Sequence, residues 1–130
     1  MSFTVDISAR QGGLERIRLG GRLDSNTAPD FELAVEPVIA SPPSLVVLDF
    51  QGLDYISSAG LRIVFRIQKA LKARQGQLLL VEMKPQVRKV FEIIEALPTM
   101  EVFKSYEELD EYLDVMQQRE IEKQGEQGDA

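Results

Sequence analysis

The chain has no cysteine and no histidine. The first absence removes any disulfide framework and any thiolate site. The second removes the usual zinc spacings and every Ser-His-Asp or Cys-His arrangement, and with them most hydrolase chemistry. No G-x-x-x-x-G-K-[ST] loop occurs, and Gly12-Gly13 and Gly20-Gly21 lack the spacing that cradles phosphate. No apolar run approaches the roughly 18 residues of a membrane helix. The opening Met1-Ser2-Phe3-Thr4-Val5-Asp6 has neither the basic segment nor the apolar stretch of a signal peptide. These absences predict a soluble, cytoplasmic protein without membrane insertion, metal or cofactor.

What is present is a chain of 130 residues, 44% hydrophobic, long enough for one ordinary core and too short for two comfortable domains. Its net charge of −6 is unevenly placed. Residues 105–130 hold nine acids against two bases, so the remainder is close to neutral. An acidic end of this kind argues against direct nucleic-acid binding there and reads as a solvated helix followed by a frayed tail.

Apolar and polar residues alternate over Phe3 to Ser8 and again over Leu14 to Leu19. Gln11-Gly12-Gly13 lies between them, which predicts an N-terminal hairpin. The segment Asp24-Ser25-Asn26-Thr27-Ala28-Pro29-Asp30 carries helix-start chemistry, with Thr27 as capping candidate and Phe31, Ala34, Val35 and Val38 marking one face. Pro37 predicts that this helix is short or bent. Leu45 to Phe50 is continuously apolar apart from Asp49, the pattern of a central strand buried on both faces. A helix is expected from about Ser58 to Arg74, a strand at Gln77 to Val81, and a helix from Pro85 to Leu97. A short strand at Met100 to Phe103 and an acidic helix from Tyr106 to about Gln118 complete the pattern. Beyond Gln118 little remains to bury, and residues 119–130 are expected to be a disordered tail on a domain spanning 1–118. The order predicts an α/β fold: an N-terminal hairpin, then alternating helices and strands, giving a mixed sheet of about five strands with helices packed on it.

The most informative place is the junction where the central strand, Leu45 to Phe50, reaches its end and the chain passes through Gln51 to Ile56 and turns into the next helix at Ser57-Ser58-Ala59-Gly60-Leu61. A helix start exposes N–H groups without internal partners and favours negative charge, so a hydroxyl there either caps the helix or carries a phosphate in a favourable field. The same helix presents Arg62, Arg66, Lys69, Lys72 and Arg74 with no acid among them, either a solvated face or a docking surface for an acidic partner. Gly60 fits either close approach by a partner or helix-to-sheet packing. Asp24, Ser25 and Asn26 follow a strand and either serve only as turn residues or join the serine loop in a partner surface. Asp49 and Asp54 flank the end of the central strand, where acids more often serve turns than catalysis.

Residues Leu48 to Arg62, with Ser57-Ser58-Ala59-Gly60-Leu61 at their centre, resemble the signature of the STAS domain of bacterial anti-sigma factor antagonists. Leu19-Gly20-Gly21-Arg22-Leu23-Asp24 is similar to the glycine-leucine-aspartate turn of that family. In element order the resemblance covers residues 3 to about 116. It implies a non-enzymatic partner switch: an anti-sigma factor serine kinase phosphorylates one serine, the unmodified form binds that kinase and frees its sigma factor, and a PP2C-type phosphatase reverses the modification. The family's serine stands two residues before the Gly-Leu pair, which places it at Ser58 and leaves Ser57 as the cap. Where the sporulation-type version has an aspartate this chain has Ser57, and where that version often has a second hydroxyl it has Ala59. The partner surface implied comprises Asp24, Ser25, Asn26, Ser57, Ser58, Ala59, Gly60, Arg62 and Arg66. The resemblance also admits a STAS regulator of secretion, motility or biofilm, or an unphosphorylated accessory subunit of a lipid ABC transporter.

Overall fold

The computed structural model describes residues 2–96 and 102–128. Strands β1 (Thr4–Ile7) and β2 (Leu14–Leu23) form the expected hairpin around the Gly12-Gly13 turn. Helix α1 (Ala28–Ala40), strand β3 (Leu45–Ile56), helix α2 (Ser58–Lys72), strand β4 (Gln77–Val81), helix α3 (Pro85–Ala96) and helix α4 (Tyr106–Gly128) follow. The four strands lie in sequence order, β1 antiparallel to β2, and β2, β3 and β4 parallel through the α1 and α2 crossovers. The predicted α/β architecture is therefore present with four strands among the described residues rather than about five. Of the expected fifth strand, Met100 to Phe103, the first two residues lie outside the described residues, and the other two are not a strand: Val102 is helical and exposed, and Phe103 has no regular structure and is buried.

Register explains the layering. Ile17, Leu48 and Leu80 are cross-strand partners on one face, continued by Val46 and Leu78, and this face meets Phe31 and Val35 of α1, Val64 and Ile67 of α2, and Val87 and Val90 of α3 in one core. Successive strand residues point to opposite sides. Arg16, Arg18 and Leu79 consequently lie on the other face and are exposed, so the helices cover a single side of the sheet.

Four expectations are corrected. Helix α1 runs through Pro37 to Ala40, because Val38 is buried and holds the last turn on the sheet despite the missing N–H at Pro37. Pro37→Ala is accordingly expected to stabilise the protein by about 1–2 kcal/mol, read as a raised urea midpoint. Thr27 occupies the cap position without a capping side-chain bond: its Oγ1 donates to the Arg22 carbonyl and accepts from the Asp24 N–H. Strand β3 does not stop at Phe50 but continues to Ile56. Finally, α4 continues well past Gln118 through good helix formers, and its second half is tied to α3 by Gln124 Nε2 donating to Gln86 Oε1 at 3.1 Å.

Candidate functional site

The ends of β2 and β3 build the site. Both strands extend to the pair Leu23 and Ile56, after two register shifts in which β3 carries an extra residue, one between Asp49 and Gly52 and one between Leu53 and Tyr55. Gly21 has φ +84°, a conformation open to glycine. Beyond that pair the Ser57 N–H donates to the Leu23 carbonyl at 2.9 Å, which sets the serine junction beside the Asp24 turn. Gly60 sits against the same strand end: a Cβ there would fall 2.6 Å from Leu23 Cγ, so its small size serves internal packing of α2 on β2.

The two serines differ in their local geometry. Ser57 is extended (φ −101°, ψ 175°) and caps α2, its Oγ accepting from the Gly60 N–H at 3.5 Å. Ser58 is the first helical residue, and among the described residues its hydroxyl makes no hydrogen bond. It lines a cleft of about 170 Å³ with Leu61, Arg62, Phe65, Ile94, Tyr106 and Leu109. Its exposure is only 8%, because the start of α4 lies over it.

On the other side of the junction the Asp24 turn closes on itself. The Asp24 carboxylate accepts from the N–H groups of Asn26 and Thr27 at 2.9 and 3.2 Å and from Arg22 Nε at 3.0 Å. Burial pushes its carboxyl up, and these hydrogen bonds, Asn26 foremost, outweigh that and hold it below the usual value. Ser25 shares a second cleft with Ala59 and Arg62, three of the expected partner-surface residues, whereas Ser57 and Gly60 are buried. Arg62 and Arg66 are not both free: Arg66 pairs with Glu32 at 3.1 Å, and Arg62 stands 4.9 Å from the centre of the Tyr106 ring. Asp49 accepts from the Gln51 N–H within β3, where that strand's register with β2 shifts, and Asp54 pairs with Lys84.

Sequence reasoning missed the contribution of α4. Asp110 Oδ1 accepts from the Ser58 N–H at 2.9 Å. Gln117, 1% exposed, binds both backbone groups of Ile56: its Oε1 accepts from the N–H at 2.9 Å and its Nε2 donates to the carbonyl at 3.0 Å. Asp114 reaches Arg22 at 3.7 Å, and the Arg22 guanidinium lies 3.7 Å above the Tyr55 ring. No local pattern announces these contacts, since each joins residues far apart in the chain.

Tyr55 feels this surrounding directly. Its phenol is pushed up to about 12, first by burial and then by Asp114, with Arg22 opposing. The unfolded phenol titrates near 10.0. As pH rises between these values the unfolded chain loses a proton that the folded chain keeps, so stability is full below the lower value and falls toward the upper one. Tyr55→Phe is expected to flatten that decline, measured as the change in urea midpoint between about pH 9 and about pH 11.

The four-stranded sheet, its one helical layer and the serine junction define a STAS domain, and the STAS family model matches residues 9–109. The chain belongs to the STAS-domain family. Its relatives include BtrV of Bordetella bronchiseptica, a candidate anti-sigma factor antagonist, 44% identical over 93 residues that span 72% of this chain and 78% of that one. The anti-sigma-B factor antagonist of Listeria monocytogenes is 27% identical over 93 residues, covering 72% of this chain and 82% of its own length. The solved structure of SpoIIAA, an anti-sigma factor antagonist in its unphosphorylated form, superposes with a TM-score of 0.59 at 23% identity, covering 68% of this chain and 82% of that one, and shares its fold.

Proposed function

We propose that the protein is a cytoplasmic anti-sigma factor antagonist, a binding module rather than an enzyme, controlled by phosphate on Ser58. In this reading the unmodified form binds an anti-sigma factor serine kinase and releases its sigma factor. The kinase transfers the γ-phosphoryl group of ATP to Ser58 Oγ, whose proton passes to a base of the kinase while ADP leaves, and a PP2C-type phosphatase hydrolyses the ester.

The observation that carries the reading is the unequal engagement of the two hydroxyls within a STAS fold: Ser57 Oγ accepts the capping bond, whereas Ser58 Oγ has no hydrogen-bond partner among the described residues and borders a cleft. The position also gives a phosphate its effect. About −1.5 to −2 charges at a helix start are compatible with the sheet and with α2 itself, but in the middle of an interface they repel acids on a partner and lose hydration without replacement. Ser25, Ala59 and Arg62 on the neighbouring cleft widen the surface on which a partner reads that charge.

The test is a calorimetric titration of the anti-sigma kinase from the same genome with unmodified and Ser58-phosphorylated protein. Phosphate is expected to weaken binding by at least about tenfold. Equal affinity of the two forms would overturn the reading.

A further inference from the structure

Ser58 is nearly buried, and what buries it is the acidic last helix. The contacts that hold that helix over the serine are of two kinds. Near its start, Asp110 occupies the N–H of Ser58, the place at the beginning of α2 where a negative group is most favoured, and Tyr106 carries the Arg62 guanidinium on its ring. Farther along, Gln117 satisfies both backbone groups of Ile56, Leu113 is buried in the core, and Asp114 reaches Arg22.

We propose that α4 is a phosphate-sensitive cover: docked on the serine junction through Asp110 and Gln117 while Ser58 is unmodified, and released when Ser58 carries a phosphate. The proposal deepens the reading of Ser58 as the phosphoacceptor and rests on it for its biological use.

Three features give the coupling its direction. The hydroxyl and the amide nitrogen belong to one residue, so a phosphate on Ser58 lies next to the Asp110 carboxylate that the amide holds. Like charges at such separation, partly shielded from water, repel strongly. The phosphate is covalently tethered and is itself an acceptor for the first N–H groups of α2, whereas Asp110 belongs to a distant segment and is free to leave for solvent. Arg62 stands one helical turn from Ser58 on α2 and is the cation lining the same cleft, within the reach of a phosphate there; recruiting it draws the guanidinium from Tyr106 and removes a second contact from the start of α4. Both proximal attachments therefore oppose the modification. By reciprocity, whatever lifts α4 also favours a phosphate on Ser58, so the cover and the modification are two sides of one equilibrium.

The 130-residue chain with phosphoserine installed at position 58 during translation, which requires no kinase, is compared with the unmodified chain by hydrogen exchange. Amides of α4 are expected to exchange at least about tenfold faster in the phosphorylated chain, with those of β2 and β3 unchanged. Asp110→Asn removes the charge and keeps an acceptor oxygen, and in the phosphorylated chain it is expected to abolish most of that acceleration. Equal exchange in the two forms overturns the proposal, as does acceleration that spreads through β2 and β3, or one that Asp110→Asn leaves intact. A kinase that fails to modify Ser58 defeats the functional reading and leaves this measurement unaffected.

Discussion

Ser58→Ala is expected to abolish phosphate incorporation by the anti-sigma kinase, and Ser57→Ala to retain it. Ser57 contributes to the helix start: its hydroxyl accepts from Gly60, and its extended backbone ends β3. Removing that cap costs about 1 kcal/mol, a loss that lowers the urea midpoint without removing the phosphoacceptor. Among the described residues Ser58 makes no comparable structural bond through its hydroxyl, so alanine there is expected to be close to neutral for stability while eliminating the reactive oxygen. Incubation of each variant with kinase and ATP, followed by peptide mapping in the mass spectrometer, separates the two. Phosphate that persists in Ser58→Ala and disappears in Ser57→Ala assigns the roles the other way round.

The second large effect is expected from Gln117→Leu. The substitution keeps the bulk of a fully buried side chain and removes its amide, leaving the N–H and carbonyl of Ile56 without the partners that Gln117 supplies. It also removes the bond from Gln117 Nε2 to the Leu113 carbonyl. Unpaired buried groups cost far more than an ordinary hydrogen bond contributes, and the two at Ile56 together predict a loss of about 2–4 kcal/mol. Equilibrium urea denaturation of the unmodified protein reads the loss, and an unchanged midpoint shows that α4 contributes little at this position. Gln118→Leu, one residue along on the exposed side, is the control and is expected to be near neutral.

The part of this molecule legible in the sequence is the part set by neighbours along the chain. The alternation in Phe3 to Ser8, the apolar run at Leu45 to Phe50 and the 3.6-residue spacing of Leu61, Val64, Ile67 and Leu71 each report a local periodicity that the sheet and helices preserve. The Ser57 cap belongs to the same class, since donor and acceptor lie within one turn. What escaped was decided at a distance. Ser58 reads as an open hydroxyl until Asp110, 52 positions later, closes on its N–H. Gln117 is one of several glutamines in an acidic helix, and only the strand end at Ile56 distinguishes it from Gln118. Pro37 misled in the opposite sense: its intrinsic preference is to end a helix, and the burial of Val38 overrides it.

The one-sided layering of the sheet also gives the molecule a practical handle. Arg16 and Arg18 project from the face that carries no helices, away from the serine cleft, and the chain contains no native thiol. A single Arg18→Cys substitution therefore creates a unique attachment point for a fluorophore or a sensor surface. Partner encounters at the opposite side can then be followed without the label standing in their way.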